Sequence, residues 1–557
     1  MKASAFLGPL LAVAASELVL VVFLNLPAFF FHVSYFCLLL LLSVSYTMAR
    51  EKRLVPLAPL LAVFVLVWFI PALHGASLNS DAFTYEYSIE TILSTGRIPF
   101  GGGGPEIVQT FSLYPGLQAV GVSLFLVAAI PVFSFLSFGG SLLIAMSAFL
   151  MFIFYRRFLG STDFGVMSLI VAGLSPGILA FAGFISHQEL ALVFLWLLMI
   201  ASYGISNSQR GFTAVFLLAS IAIVLTHHLT AFFVVILGLT YCVSWIAIRL
   251  SNSNDRLFSV SRTVLFTLIF IIWNFFLSVS QIGGWARILT SISIETSVRY
   301  TEGLLEPLGI KPTWIIFLEI VGLLTYLLVV LGGMLKTFRD PKFSELRPFA
   351  LGVAAAVAPM LILGGFASGV QVRGVLFGYL FLPAFFVYGI ESLLSKLRLV
   401  SRMRKRFLVI LLVGLTLTPA IYYGMNPSFY DNSTPLTGDD YRLGYSQMLK
   451  AVLFVYDVGD SMRLFSVSLA SDVAPPGETS ISPLWMVIPS SYSSFPALIQ
   501  SQCSRPFPTP ILLRNSIVTV SDRGVRISSS EFQLALSKSD IVYSSGDPIV
   551  LYVIPCY

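Results

Sequence analysis

Charge is what this sequence has least of. Asp, Glu, Lys and Arg make up only 11% of its 557 residues, against about 25% in ordinary soluble domains. That shortage excludes a water-soluble globular chain. Cysteine is also scarce, with four residues in all, so a small scaffold built on disulfides is excluded. Cys37 and Cys242 fall within apolar stretches, whereas Cys503 and Cys556 fall in the polar C-terminal part and are candidates for a disulfide if that part lies outside the cell. The formal net charge is +6, but the cations do not form one stripe interleaved with aromatic residues, so nucleic acid is not expected as a partner. A nucleotide-phosphate loop is missing as well. We find no sequence repeat of 20–50 residues and no matching pair of interrupted apolar segments in the two halves, which argues against an inverted-repeat transporter.

What the chain does have is apolar length. Hydrophobic residues reach 57%, and the 48 phenylalanines outnumber the 33 Lys plus Arg. Mean hydropathy is +0.89. Apolar runs of about 18–20 residues, enough to cross a bilayer, recur almost end to end. Lipid offers no partner for an unpaired backbone group, so such runs must be helices. The first run, 6–24, lacks a small-residue cleavage site and is followed at once by a second, so it reads as a retained span.

The basic residues sit in short clusters between the runs: 50–53, Arg156 with Arg157, 249–262, 336–347 and 396–406. The positive-inside rule assigns them to the cytoplasm, together with the N-terminus. Fourteen candidate stretches fit between residues 6 and 424. An even number would return the chain to its starting side, yet the last span must end outside. One candidate is therefore in excess, and the weakest stretch is 117–155, where Pro131 and Gly139-Gly140 interrupt the run and suggest a re-entrant or broken segment. The expected fold is mainly α, a polytopic helical membrane protein with about 13 transmembrane helices and a small C-terminal extracytoplasmic α/β domain. The expected domains are 1–425, with outer loops 74–116 and 282–312, and a soluble domain 426–557 in which 484–489, 517–520, 541–543 and 549–554 read as strands.

Four polar patches interrupt the apolar background on the outer side of this topology. In the first loop, Asn79 or Ser80 can cap a helix starting near Asp81; Glu86 and Glu90, four residues apart, share one face of it. These are either solvated loop carboxylates or a group set against the membrane surface. The second patch is His187-Gln188-Glu189 between two apolar runs. An ionisable group at such a depth is costly and is a candidate for function, the alternative being a simple inter-span loop. The third is Thr226-His227-His228-Leu229-Thr230. Adjacent residues on a helix point to different sides, so His227 and His228 are not expected to share a metal, and either can simply hydrogen-bond a neighbouring helix. The fourth is Arg373, opposite to the positive-inside preference, suited to a phosphate or to snorkelling toward headgroups.

In layout and in the order of these patches, the chain resembles the GT-C superfamily of membrane glycosyltransferases, which includes oligosaccharyltransferases and protein mannosyltransferases. The resemblance runs through Ser80-Asp81 in the first outer loop, Gly96-Arg97-Ile98-Pro99, Tyr114-Pro115-Gly116-Leu117, Ser175-Pro176-Gly177 up to His187-Gln188-Glu189, Thr226-His227-His228-Leu229-Thr230, and Arg373 with Pro383. It covers about residues 54–424. The Trp-Trp-Asp-Tyr-Gly signature of oligosaccharyltransferases is missing, which argues against protein N-glycosylation. What the resemblance implies is an enzyme that moves a hexose-like sugar from a polyprenyl (dolichyl-type) phosphate or diphosphate to a glycan, lipid or protein acceptor on the outer face of the cell membrane. Its catalytic residues would be Asp81, Glu86 and Glu189, and its substrate-binding residues His187, His227, His228 and Arg373. Asp81 and Glu189 would hold a divalent cation, Mn²⁺ or Mg²⁺, in those relatives that use one. Three alternatives remain open, of which a purely structural or scaffold protein would leave the grouping of Asp81, Glu189, His227 and Arg373 unexplained. A flippase or transporter of a lipid-linked saccharide would also want Arg373 and outer carboxylates, and a glycan polymerase or ligase would want a late outer loop rich in cations and His. Loop 282–312 holds Arg287, Arg299 and Lys311 but no His.

Overall fold

The computed structural model describes residues 4–23, 28–52, 55, 57–73, 85, 88–89, 92–98, 114–175, 178–179, 185–206, 209, 211–247, 257–277, 313–340, 346–363, 368–397 and 400–418, and the strands 465–466, 509–514, 539–544 and 548–553. The chain divides into two compact units, the first made of Met1–Leu73, Leu113–Leu117 and Ser137–Tyr430, the second of His74–Ser112, Gln118–Leu136 and Asp431–Tyr557.

The described helices are α1 (Ser4–Phe23), α2 (Ala28–Arg50), α3 (Leu57–Leu73), α4 (Gly116–Ala128), α5 (Val132–Phe158), α6 (Thr162–Gly173), α7 (His187–Ser206), α8 (Phe212–Thr226), α9 (His228–Ala247), α10 (Val260–Leu277), α11 (Thr313–Arg339), α12 (Leu346–Leu363), α13 (Ser368–Phe381), α14 (Pro383–Lys396) and α15 (Arg402–Leu417). Many are apolar on the outside as well as the inside. Ile320, Leu324, Leu328, Leu331 and Leu335 of α11 stay exposed, as do Val264, Leu268, Ile271 and Ile272 of α10. A helix hydrophobic all round belongs in lipid, and the chain is a polytopic helical membrane protein.

By length and composition five described helices are long and apolar enough to cross a membrane alone: Val33–Arg50, Phe138–Phe158, His187–Ser206, His228–Ala247 and Ile320–Arg339. A sixth span is a bent pair, and seven further apolar helices have 10–17 residues. The expected number of about thirteen spans thus depends on helices shorter than a full crossing. In the 117–155 stretch only one of the two suspected breaks exists. The chain interrupts at Ala129–Pro131, where Ala129 takes φ 53°, while Gly139-Gly140 lies inside the continuous α5. Glycine weakens a helix interior by only about 1 kcal/mol, too little to break the helix here.

Proline makes the second break. Pro383 has no N–H to give to the carbonyl four residues back, and α13 and α14 meet at a 55° bend. Two tyrosines from other helices serve carbonyls at the bend, Tyr155 donating to Leu380 O at 2.7 Å and Tyr326 to Gly378 O at 3.2 Å. Below the bend, α14 lies against α11 with backbone touching backbone. An added Cβ at Gly333 would fall on the carbonyl of Phe385, and one at Gly389 on the carbonyl of Val329.

Several of the described cations sit at helix ends and are paired there. Arg50 at the end of α2 bonds Glu391 at 2.6 Å, Arg406 grips Glu51 with two bonds of 2.6 and 2.7 Å, and Arg347 donates to Thr337 O at 3.0 Å. Arg262 reaches Ser202 O, Ser202 Oγ and Ser206 Oγ, placing positive charge near the C-terminal end of α7, where the helix dipole favours it.

In the second unit β1 (Phe465–Ser466), β2 (Thr509–Arg514), β3 (Ser539–Ser544) and β4 (Pro548–Val553) form a mixed sheet in the order β1-β2-β4-β3. β1 pairs parallel to β2, and β4 pairs antiparallel to both β2 and β3, with an irregularity at Ile541/Tyr543. The β3–β4 hairpin realises the strands expected at 541–543 and 549–554, whereas 484–489, 517–520, Cys503 and Cys556 lie outside the described residues.

The Gly389 contact is made with backbone, which cannot swing aside. Gly389→Val is therefore expected to destabilise the protein by about 3 kcal/mol or more, read as thermal unfolding in detergent. Gly332→Ala, with nothing within 4 Å of the added Cβ, should keep or slightly raise the melting temperature, since alanine is the better helix former.

Candidate functional site

Five chain segments bring polar side chains to one place in the first unit. Helices α7 and α9 begin there, α8 and α10 end there, and α13 enters with its second turn.

The start of α7 is organised by Ser186. Its Oγ accepts from Gln188 N at 3.1 Å and donates to Glu189 Oε2 at 2.7 Å, while its own N–H donates to the same oxygen at 2.6 Å. This is a capping box: a Ser before the helix and a Glu three residues on satisfy each other's end of the first turn. Half of the Glu189 carboxylate thus has a structural role. The other half does not. Glu189 is fully buried, and among the described residues its Oε1 has no hydrogen-bond partner. An unpartnered oxygen of this kind is expensive in a low-dielectric interior, which marks it as a place for a ligand atom or a proton.

Between Glu189 and its neighbours on the helix face stands Gln188. Its Nε2 donates to Thr230 Oγ1 at 3.0 Å and its Oε1 accepts from Arg373 Nε at 3.2 Å. One amide therefore joins α7, α9 and α13. It also fixes the plane of the guanidinium, and that plane decides where the remaining donors of an arginine point. Arg373 lies close enough to Glu189, His227 and His228 to act on their charge.

The histidine pair differs from the expectation. His227 is not helical; with φ −155° it closes α8 in an extended conformation before α9 starts at His228. The break turns the two rings toward the same region, 5.2 Å apart at 37°, where a continuous helix would have sent them to different sides. His227 Nδ1 meets Thr230 N at 3.2 Å and Thr230 Oγ1 at 2.9 Å, so Thr230 is held by both Gln188 and His227. The ring of His228 packs 5.1 Å from Tyr114, whose hydroxyl donates to Asn274 Oδ1 at 3.1 Å. His187 is buried as well. Two residues beyond Tyr114, an added Cβ at Gly116 would fall on Thr226 Oγ1, so glycine is what lets this segment approach the α8–α9 break.

The floor is aromatic. Phe377 and Phe381 follow Arg373 at four-residue steps on one face of α13; Phe377 stacks on Phe233 at 4.1 Å and Phe381 on Trp196 at 4.9 Å. The polar groups are thereby walled off from the apolar bundle beneath.

Of the residues singled out in the sequence, Glu189, His187, His227, His228 and Arg373 are brought together. Asp81 and Glu86 lie outside the described residues, and the cation pairing of Asp81 with Glu189 lies there with them. Among the described residues no group of three or more His, Cys, Asp or Glu could hold a metal ion. Sequence reading passed over Ser186, Gln188, Thr230 and Asn274. The Ser-x-x-Glu spacing of 186–189 was a readable signal for the capping box, while nothing local in sequence announces that Gln188 bridges to residues 42 and 185 positions away.

No protein-family model matches the chain, and no curated protein matches it. Among solved structures it is similar to ArnT from Cupriavidus metallidurans bound to undecaprenyl phosphate, with 13% identity, a TM-score of 0.43, and coverage of 89% of this chain and 98% of that one. It is also similar to the same organism's ArnT in the apo state, with 12% identity, a TM-score of 0.44, and coverage of 90% and 98%.

Ser186→Ala removes the Oγ bonds to Gln188 N and Glu189. It should lower stability by about 1 kcal/mol, the usual worth of such a cap, measured as a shift in thermal unfolding.

Proposed function

We propose that this chain is a membrane glycosyltransferase that takes its sugar from a polyprenyl-phosphate or polyprenyl-diphosphate donor, transferring it to an acceptor at the membrane face where α7 and α9 begin. The observation that carries the reading is a half-buried Arg373, bonded by Gln188, in the same cluster as a buried Glu189 carboxylate with one oxygen unpartnered among the described residues. A guanidinium held in a fixed plane suits a phosphate, because its donors can meet two oxygens at once.

In this reading the acceptor hydroxyl attacks the anomeric carbon and the bond from that carbon to the donor's phosphate oxygen breaks. The lipid phosphate leaves with the bonding electron pair, and its growing charge is met by Arg373. The acceptor proton passes to a carboxylate, the role given to Asp81. Glu189, Glu86 and the histidines orient the acceptor. A cation, where one is used, would sit between Asp81 and Glu189; no step requires it. In this reading the face is the cell exterior, because the positive-inside rule assigns the basic clusters to the cytoplasm, and the soluble domain 426–557 is extracellular.

The aromatic floor favours transfer over translocation. A flippase needs a polar path to the opposite face, whereas the residues that follow Arg373 at four-residue steps on α13, Phe377 and Phe381, pack in an aromatic cluster with Phe233 and Trp196.

The test is sugar transfer from a labelled polyprenyl-phosphate donor by membranes carrying wild type, Asp81→Asn, Arg373→Ala or Arg373→Lys at matched expression. Wild type should transfer label. Arg373→Ala should lose about 10²–10³-fold, the cost of removing one donor to a developing oxyanion, and Arg373→Lys should recover part of that loss. Absence of transfer by wild type across a panel of donors, with lipid-saccharide translocation in the same vesicles, would overturn the reading.

A further inference from the structure

The basic end of the first unit holds a second polar feature that the transfer reaction does not use. Arg50, Glu51, Arg402, Lys405 and Arg406 line a cleft of about 270 Å³ where the end of α2 meets the start of α15. Its charges do not cancel. Glu391 is taken by Arg50 at 2.6 Å, and Glu51 is taken by both nitrogens of the Arg406 fork at 2.6 and 2.7 Å. Arg402 stands 3.7 Å from the same carboxylate with its side chain 76% exposed. The Lys405 side chain makes no ion pair among the described residues. Two cations are therefore left over in a concave setting.

An apolar track begins at the lip of this cleft. Met403, Phe407 and Leu411 are 81%, 67% and 45% exposed, and their four-residue spacing puts them in one stripe along α15. Such a stripe on a membrane helix is made for acyl chains. A free anion would use only the cations, whereas a lipid would use the cations and the stripe together.

We propose that this cleft is a binding site for the headgroup of an anionic phospholipid from the adjoining leaflet, its phosphate held by Arg402 and Lys405 and an acyl chain lying along Met403, Phe407 and Leu411. Basic pockets between membrane helices take anionic headgroups by this chemistry. The Glu51–Arg406 and Arg50–Glu391 pairs hold α2, α14 and α15 together, so occupancy would also brace the helix that carries the Pro383 bend.

The test is retention of added phosphatidylglycerol or phosphatidylcholine by the purified full-length protein in detergent, read by native mass spectrometry. Wild type should retain phosphatidylglycerol in preference to phosphatidylcholine. Arg402→Gln with Lys405→Gln should weaken that retention at least tenfold, while Lys52→Gln with Arg404→Gln, an equal loss of charge beside the cleft, should not. Met403→Ser with Phe407→Ser should weaken it too, without touching any charge. The proposal is overturned if the Arg402 and Lys405 variant retains lipid like wild type, or if the control variant loses it equally, which would mean diffuse attraction only. Displacement of the lipid by equimolar inorganic phosphate would also overturn it, since the site would then be one for free phosphate.

Discussion

The Gln188 amide is the joint on which the polar end of this bundle depends. In a membrane interior a polar side chain has no water to fall back on, so each such group must find its partner within the protein. Gln188 supplies one partner to Thr230 and another to Arg373, and Thr230 in turn is shared with His227. If this chain of bonds were opened, a guanidinium, a hydroxyl and an imidazole would lose partners together, in surroundings where each loss costs more than in water. The network therefore acts as a unit, and it sets the direction in which Arg373 presents its charge.

Packing below the site serves the same end. The direction of α13 is fixed by the bend at Pro383, by the tyrosines that serve the Gly378 and Leu380 carbonyls, and by the glycine contact between α11 and α14. Close approach through small residues is how membrane helices pack when lipid and side chain are equally apolar. An arginine one helix away from that contact is then held by backbone geometry as well as by Gln188. Glu189 sits at the opposite extreme: its Oε2 is spent on the capping box, and its buried Oε1 has no hydrogen-bond partner among the described residues. One residue thus links the start of a helix to the chemistry proposed at its mouth.

Much of this was legible in the sequence. The apolar runs announced membrane helices, the basic clusters announced which ends belong together, and the polar patches at 187–189, 226–230 and 373 converge as their shared position outside the apolar runs implied. The hairpin of β3 and β4 was legible from two short β-branched and aromatic runs with turn residues between them. What escaped the reading depended on distance or on local backbone. Gly139-Gly140 looked like a break because helix propensity is weak there, yet tertiary packing overrides so small a preference. The two histidines were expected on different sides of a helix, and the extended His227 turned them toward one region instead. Gln188 was passed over because an amide in a polar triplet has no signature of its own; its role appears only when α9 and α13 arrive beside it.

The central claim is that Gln188 orients Arg373 for a lipid phosphate, and a double-mutant cycle measures it most directly. Binding of a short-chain polyprenyl phosphate would be measured for wild type, Gln188→Leu, Arg373→Gln and the double variant. The account predicts that the single changes each weaken binding and that the double variant is little weaker than Arg373→Gln alone, a coupling of about 0.5–3 kcal/mol, as residues in contact show. Losses that simply add would mean that Gln188 and Arg373 act independently, and would contradict it.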